Sequence, residues 1–143
     1  MSEQDNIRTV EQIFENINAH DPGRSPDRYT PGYTLEGPGA PGPLTYESSL
    51  VYLHGFITAF PDLHFSLKHK IADGDNVAVT WTATGTHNGP MLTPTGATIP
   101  PTGKKGVVVG CTTYVFKGDK VATSSNYWDM VSLLTQLGLM PGM

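Results

Sequence analysis

The sequence predicts an α+β domain, in which helices come first and an antiparallel sheet follows. Two observations predict this class. Apolar residues recur at three- and four-residue spacing before Pro61, and they alternate with polar residues from Leu63 onward. Helices grouped before one antiparallel sheet are typical of α+β domains. A length of 143 residues fits a single domain, 1–143. A curved sheet wrapped by the N-terminal helices would form a cone-shaped barrel with an interior pocket.

Two helices are expected before the sheet. The first begins after Ser2, ends at the 20–23 segment because proline cannot continue a helix, and carries an apolar stripe of Ile7, Val10, Phe14 and Ile17. The second begins near Thr45 and ends at Pro61. Between them we expect a short helical turn over 25–29, a short strand over 33–36 and a Pro/Gly loop over 37–43.

The second half predicts four antiparallel strands and a final helix. Period-two alternation is clearest over 77–84, and the turns at 73–76 and 117–120 favour hairpins. The segment 88–105 holds four prolines and three glycines, which predicts a long loop of the kind that often forms a lid. Leucines at helical spacing after Asp129 predict a short C-terminal helix.

The composition excludes several classes of function. Nine basic and 13 acidic residues give a net charge of −4 without a basic block, which argues against nucleic acid as a partner. No apolar run reaches the ~18 residues of a membrane span, and the polar N-terminus does not resemble a secretory signal. A single Cys111 excludes an internal disulfide and a multi-cysteine zinc site, and we expect no metal site. These points predict a cytoplasmic domain that binds small molecules or protein partners.

Five short segments then occur in a familiar order. They are AFPDL (59–63), DGDNVAV (73–79), GTHNG (85–89), PPTGK (100–104), and Asp129 followed by QLG (136–138). Together they resemble the SnoaL-like polyketide cyclase family, which has the nuclear transport factor 2-like cone fold. The resemblance covers nearly the whole chain. Thr123 and Ser125 depart from it, since many members carry an acidic residue and a tryptophan there, and the loop near 93–97 is longer than usual.

The resemblance implies a cofactor-free cyclase of polyketide-type natural-product biosynthesis. It implies aldol ring closure of an aromatic polyketide-like substrate by an acidic general base, and a homodimer, which we place on the outer face of the sheet. Asp129 matches the family's catalytic aspartate, and His87 matches its histidine after Gly-Thr. Asp129 would remove a proton from a carbon between two carbonyls, and His87 would donate a proton or orient Asp129.

Each catalytic candidate also has a structural interpretation. Asp129 directly precedes an apolar helical pattern, so it is a candidate helix N-cap, and it can perform both roles only if one carboxylate oxygen stays free. Strand alternation would place it on one face with Thr123, Ser125 and Tyr127. His87 would share a face with Trp81, or else be a turn histidine at a strand end.

The remaining candidates are substrate contacts. Tyr33 and Glu36 have odd spacing and should point to opposite faces of their strand. His54 lies on the apolar stripe of its helix and should point inward, and aromatic walls are expected from Phe56, Trp81, Tyr127 and Trp128. Two other functions stay open. Glu36 beside Asp129 would favour addition of water to an epoxide or double bond, as in a hydrolase, hydratase or hydroxylase-like enzyme, and the domain could also bind a small molecule without catalysis.

Overall fold

The computed structural model describes residues 2–92 and 96–139. After a 3₁₀ turn is set aside (Pro26–Arg28), the elements are α1 (Glu3–Asn18), β1 (Tyr29–Glu36), α2 (Tyr46–Ala59), β2 (His64–Asp73), β3 (Asn76–Thr86), β4 (Met91–Leu92), β5 (Thr98–Ile99), β6 (Lys105–Lys117), β7 (Lys120–Trp128) and α3 (Met130–Gln136). This is the α+β order that the sequence predicts.

Polar caps begin all three helices. The hydroxyl of Ser2 accepts a hydrogen bond from Asp5 N at 3.0 Å, and that of Thr45 accepts one from Ser48 N at 3.2 Å. Each cap satisfies a backbone N–H that has no partner inside its helix. The apolar stripe of α1 is buried against the sheet, through Val10, Ile13, Phe14 and Ile17.

The main sheet has the strand order β1-β7-β6-β3-β2. The four strands from β2 to β7 pair antiparallel, as expected, but β1 pairs parallel with β7, so the sheet is mixed and open rather than a closed antiparallel barrel. The long crossover from β1 to the rest of the sheet through α2 makes this parallel pairing possible. The helices cover one face of the sheet, and the core lies between them.

A bulge in β7 changes which side chains point inward. Val115 pairs with Thr123 whereas Phe116 pairs with Val121, so β7 contains one extra residue, Ala122. Val121 is fully buried, and beyond the bulge the inward positions are Ser124, Asn126 and Trp128. The side chains of odd-numbered residues after Ala122 therefore point to the outer face.

The segment 88–105 is not a plain loop. It contains the small hairpin β4–β5, in which Met91 pairs with Ile99. Most of the 93–97 region, where the resemblance predicts a longer loop than usual, lies outside the described residues. In the part of the chain that the structure describes, no helix is long and apolar enough to cross a membrane.

Candidate active site

A cavity of about 110 Å³ lies between α1, α2, α3 and the inner face of the main sheet. Its walls are mostly aromatic and aliphatic, and the aromatic wall residues include Tyr33, Tyr52, Phe56, Trp81, Tyr114 and Trp128. No Asp, Glu, His, Lys, Arg or Cys is among the described residues that line it. Such a cavity suits a flat apolar molecule, with orientation fixed by a few neutral polar groups.

The deep end of the cavity carries tyrosine hydroxyls. Tyr33 is 5% exposed, and its hydroxyl donates a hydrogen bond to the buried Ser124 Oγ at 2.9 Å. Burial raises the pKa of Tyr33 to about 12, although the bond to Ser124 acts in the opposite direction. Burial raises the pKa of Tyr114 well above its ordinary value too, with the phenols of Tyr29 and Tyr33 adding to the effect. These phenols stay neutral near pH 7, so they can donate hydrogen bonds but cannot act as bases.

Three half-buried aromatic rings border the outer end of the cavity. The rings of Tyr52 and Phe56 lie 5.0 Å apart and those of Phe56 and Trp128 lie 5.7 Å apart, both edge-to-face. The Tyr52 hydroxyl donates to the Pro38 carbonyl at 2.7 Å, and burial raises the pKa of Tyr52 to about 12. Because these side chains line the cavity and still reach solvent, we place the mouth of the cavity here.

A chain of hydrogen bonds crosses the inner face of the sheet from β3 to β7. The Trp81 indole Nε1–H donates to Thr112 Oγ1 at 2.9 Å, and the Thr112 hydroxyl donates to Asn126 Oδ1 at 2.7 Å. All three residues line the cavity. Gly110 makes this chain possible, since a Cβ at that position would lie 2.5 Å from two atoms of the Trp81 ring. The indole therefore lies directly over a glycine.

Asp129 is the N-cap of α3. Its Oδ1 accepts a hydrogen bond from Ser132 N at 3.0 Å, and its side chain is exposed. It does not line the cavity, because its parity along β7 is that of the outer face, but its neighbours Trp128 and Leu133 do line it. We place Asp129 at the rim of the cavity on the basis of these two neighbours, and its Oδ2 accepts no hydrogen bond from the residues that the structure describes.

His87 is fully buried but also lies outside the cavity lining. Thr102 N donates to its Nδ1 at 3.3 Å, and backbone hydrogen bonds join His87 to Gly103 and Lys104. Burial lowers the pKa of His87, with the backbone of Gly89 acting in the opposite direction. A backbone N–H on Nδ1 places the proton of the neutral ring on Nε2. The observed contacts match the strand-end interpretation, in which His87 fastens the 100–104 segment.

The predicted substrate contacts divide into two groups. Tyr33, Phe56 and Trp81 line the cavity. His54, Glu36 and Tyr127 are exposed and do not line it. This corrects the expectation that His54 points inward, since α2 turns Tyr52, Leu53 and Phe56 toward the cavity instead. It also corrects Tyr127, whose outward position follows from the bulge at Ala122. Glu36 lies on the face of β1 opposite to Tyr33, as their odd spacing predicts, so it is not a substrate contact inside the cavity.

Sequence reasoning missed four residues that shape the cavity: Gly110, Thr112, Ser124 and Asn126. A signal for the first two exists in the sequence. Alternation in β6 places Val108, Gly110, Thr112 and Tyr114 on one face. No comparable signal exists for Ser124 and Asn126, because the bulge that turns them inward has no glycine or proline to mark it.

Comparison with known proteins identifies the class of protein. The SnoaL-like polyketide cyclase family matches residues 7–137, and the chain belongs to this family. The fold is that of the SnoaL and nuclear transport factor 2-like cones. No curated protein sequence matches significantly.

Solved structures share the fold over almost the whole chain. A candidate SnoaL-like polyketide cyclase from Jannaschia sp. CCS1 is 23% identical, with 97% of this chain and 95% of that one covered and a TM-score of 0.83. AclR from Streptomyces galilaeus, described as a candidate hydroxylase, is also 23% identical, with 99% and 86% covered and a TM-score of 0.83. A candidate polyketide cyclase from Acidithiobacillus ferrooxidans is 27% identical, with 96% and 98% covered and a TM-score of 0.75.

The family and its cyclase-named neighbours support a cyclase-type enzyme that acts on a small molecule. Within residues 2–92 and 96–139, no group of three or more His, Cys, Asp or Glu side chains is arranged to hold a metal ion.

Proposed function

We propose that the protein is a cyclase that closes a ring in an aromatic, polyketide-type molecule by an intramolecular aldol reaction. The observation that carries the proposal is the aromatic cavity, whose polar groups are all neutral. Flat rings fit between the Trp81, Phe56 and Tyr52 walls, where offset and edge-to-face contacts are favourable. Confinement of a flexible chain there would bring its reacting carbons together, an effect that can lower a barrier by several kcal/mol (~7–11 kcal/mol at most).

The reacting carbons would lie at the mouth rather than in the depth of the cavity. The lining contains no base, whereas Asp129 stands at the rim beside Trp128 with Oδ2 available. In the proposed step, the Asp129 carboxylate takes a proton from a carbon flanked by two carbonyls. The enolate carbon then attacks a ketone or aldehyde of the same molecule, a C–C bond forms, and the resulting alkoxide takes a proton back from the Asp129 carboxylic acid.

Because Asp129 is exposed, the substrate C–H that it deprotonates has to be acidic in its own right. A C–H between two carbonyls meets this requirement, which favours β-keto ester or β-diketone substrates. The role of His87 as a proton donor stays a prediction, and its burial outside the cavity favours a structural role instead. The position of Glu36 argues against the water-adding alternative that pairs it with Asp129, since Glu36 is exposed and absent from the cavity lining.

Proton exchange tests the proposal without knowledge of the natural substrate. The protein is incubated in D₂O with anthraquinone-type β-keto esters, and loss of the α-proton signal is followed by NMR. The Asp129→Asn variant is the matched control, because asparagine is as good an N-cap as aspartate and keeps α3 in place. We expect exchange above background in the parent protein and none in the variant. Equal exchange in both would remove Asp129 as the base, and no exchange with a ligand that binds would reject the cyclase proposal.

A homodimer through the outer face of the sheet is part of the same proposal. That face exposes apolar side chains on neighbouring strands, with Val109 70% and Tyr127 61% exposed, and Val107 and Val115 also on the outer face of β6. Contiguous exposed apolar surface of this kind is typical of an interface.

A further inference from the structure

We propose that the side-chain amide of Asn126 binds a carbonyl oxygen of the substrate at the mouth of the cavity, and that Trp81 and Thr112 hold the amide in the required orientation. The inference rests on the proposed function in one respect only, namely that the bound molecule is an aromatic carbonyl compound. It identifies Asn126 as a catalytic residue, because the oxygen that it binds would carry the developing negative charge of the enolate.

The orientation of the amide follows from the donors and acceptors along the chain of hydrogen bonds. An indole N–H can only donate, so Thr112 Oγ1 must accept from Trp81 Nε1. A hydroxyl can accept a second hydrogen bond, but Asn126 is the only other side-chain partner of Thr112 Oγ1 among the described residues, so the hydroxyl proton is directed at Asn126, 2.7 Å away. The atom that receives it must be an acceptor, which is Oδ1 and not Nδ2. The amide therefore has one orientation, and its two N–H groups point away from Thr112.

These two N–H groups have no acceptor among the residues that the structure describes. Asn126 Nδ2 donates no hydrogen bond to any described residue, although Asn126 is half-buried and lines the cavity. Polar groups in such a position are usually satisfied, and here a ligand or water has to supply the acceptor. Gly37 lies beside the amide, and a Cβ there would lie 2.8 Å from the Tyr52 hydroxyl and 3.4 Å from Nδ2, so glycine leaves the room that Tyr52 needs next to Asn126.

The arrangement suits an oxygen that becomes more negative during the reaction. Neutral N–H donors that are already oriented stabilise an enolate oxygen more than a ketone oxygen, because the charge develops where the donors already point. Asp129 lies three residues further along the chain, directly after the end of β7. One ligand carbonyl on Asn126 would hold the acidic carbon near the mouth, where the carboxylate is.

Two substitutions at Asn126 and two at Thr112 test the inference. Asn126→Leu and Asn126→Asp both remove the N–H donors. The leucine variant adds no charge, and the aspartate variant keeps an acceptor for the Thr112 hydroxyl. We expect both to lower the rate of α-proton exchange by about 10²–10³, the usual cost of one oxyanion donor. Thr112→Val frees the amide to rotate and should cost about tenfold, the value of roughly one hydrogen bond. Thr112→Ser keeps the hydroxyl and should restore the parent rate within about twofold.

A second readout does not depend on turnover. The infrared carbonyl stretch of a bound, carbonyl-labelled anthraquinone β-keto ester should lie at lower frequency in the parent protein than in Asn126→Leu. Circular dichroism and the melting temperature establish that each variant is folded. If both Asn126 variants retain the parent frequency and exchange rate, the inference is wrong while the cyclase proposal stands. If the parent shows the shifted carbonyl but no exchange, the cyclase proposal fails and the carbonyl-binding role of Asn126 holds. If no such ketone binds the parent protein, both are overturned.

Discussion

Gly110→Ala should damage the wall of the cavity and the orientation of Asn126 in one step. A Cβ at position 110 would lie 2.5 Å from Trp81 Cη2 and Cζ2 and 2.9 Å from the Tyr127 carbonyl oxygen. Ordinary carbon contacts lie near 3.5–4.0 Å, so the indole has to retreat by about 1 Å. That movement would pull Nε1 away from Thr112, 2.9 Å distant at present.

The expected loss of folding stability follows from overpacking of a well-packed interior. Inserting one methyl group against a fixed ring and a fixed backbone costs about 1–3 kcal/mol. For a chain of 143 residues, the entropy of unfolding is about 0.3 kcal/mol per degree, so the melting temperature should fall by about 3–10 °C. The rate of α-proton exchange should fall as well, because the hydrogen bond from Trp81 to Thr112, which helps to orient Asn126, is disturbed.

Differential scanning calorimetry and the exchange assay measure both effects. Gly32→Ala is the matched control, since Gly32 lies on β1 and a Cβ there would meet nothing within 4 Å. The control should melt within about 1 °C of the parent protein, as expected for an unobstructed surface site. If Gly110→Ala melts like the parent and exchanges α-protons at the parent rate, the close approach of Trp81 to Gly110 is not what fixes the indole.

Three further predictions concern the cap, the buried histidine and the outer face. Asp129→Ala should destabilise the protein by about 1 kcal/mol relative to Asp129→Asn in urea titrations, since only asparagine keeps the α3 cap, and equal midpoints would exclude that cap. The pKa of His87 is lowered by folding, so the unfolded chain binds more protons as the pH falls through 6.5, the ordinary pKa of histidine. Stability should therefore be fully present above that pH and decline below it. His87→Gln should flatten the profile between pH 7.5 and 5, and an unchanged slope would assign the pH dependence to other groups. Val109→Asp should convert the proposed dimer to a monomer in light scattering, whereas a dimer of unchanged stability would place the interface elsewhere.

The sequence was sufficient to predict the order of the helices and of the strands in the main sheet, but not the small β4–β5 pair inside the predicted loop. The helix stripe of α1, the caps at Ser2 and Thr45, and the alternation in β3 are local signals, and the structure has helices and strands where these signals lie. The parallel pairing of β1 with β7 was not predictable in this way. It joins residues about 90 positions apart, such as Thr34 and Thr123, and no local pattern encodes such a pairing.

The candidate site was predicted less completely because one bulge decides it. With uniform alternation along β7, Tyr127 would point inward as Val121 does. The extra residue Ala122 shifts the alternation by one, so Asn126 and Trp128 point inward instead. The N-cap interpretation of Asp129 came from a local pattern, and the structure has that cap. The hydrogen bonds from Trp81 through Thr112 to Asn126 depend on three strands that lie side by side, which a single sequence does not reveal.

Tryptophan fluorescence shows whether an aromatic molecule binds inside the cavity, because both tryptophans of the chain, Trp81 and Trp128, line it. We expect an aromatic β-keto ester to quench this fluorescence and to saturate. Ala83→Leu should weaken binding at least about tenfold, since Ala83 lines the cavity and its enlargement fills space that a ligand needs. Ala78→Leu, on the opposite face of the same strand, should bind as the parent does. Equal quenching in the parent and in Ala83→Leu would contradict the account, because the ligand would then bind outside the cavity.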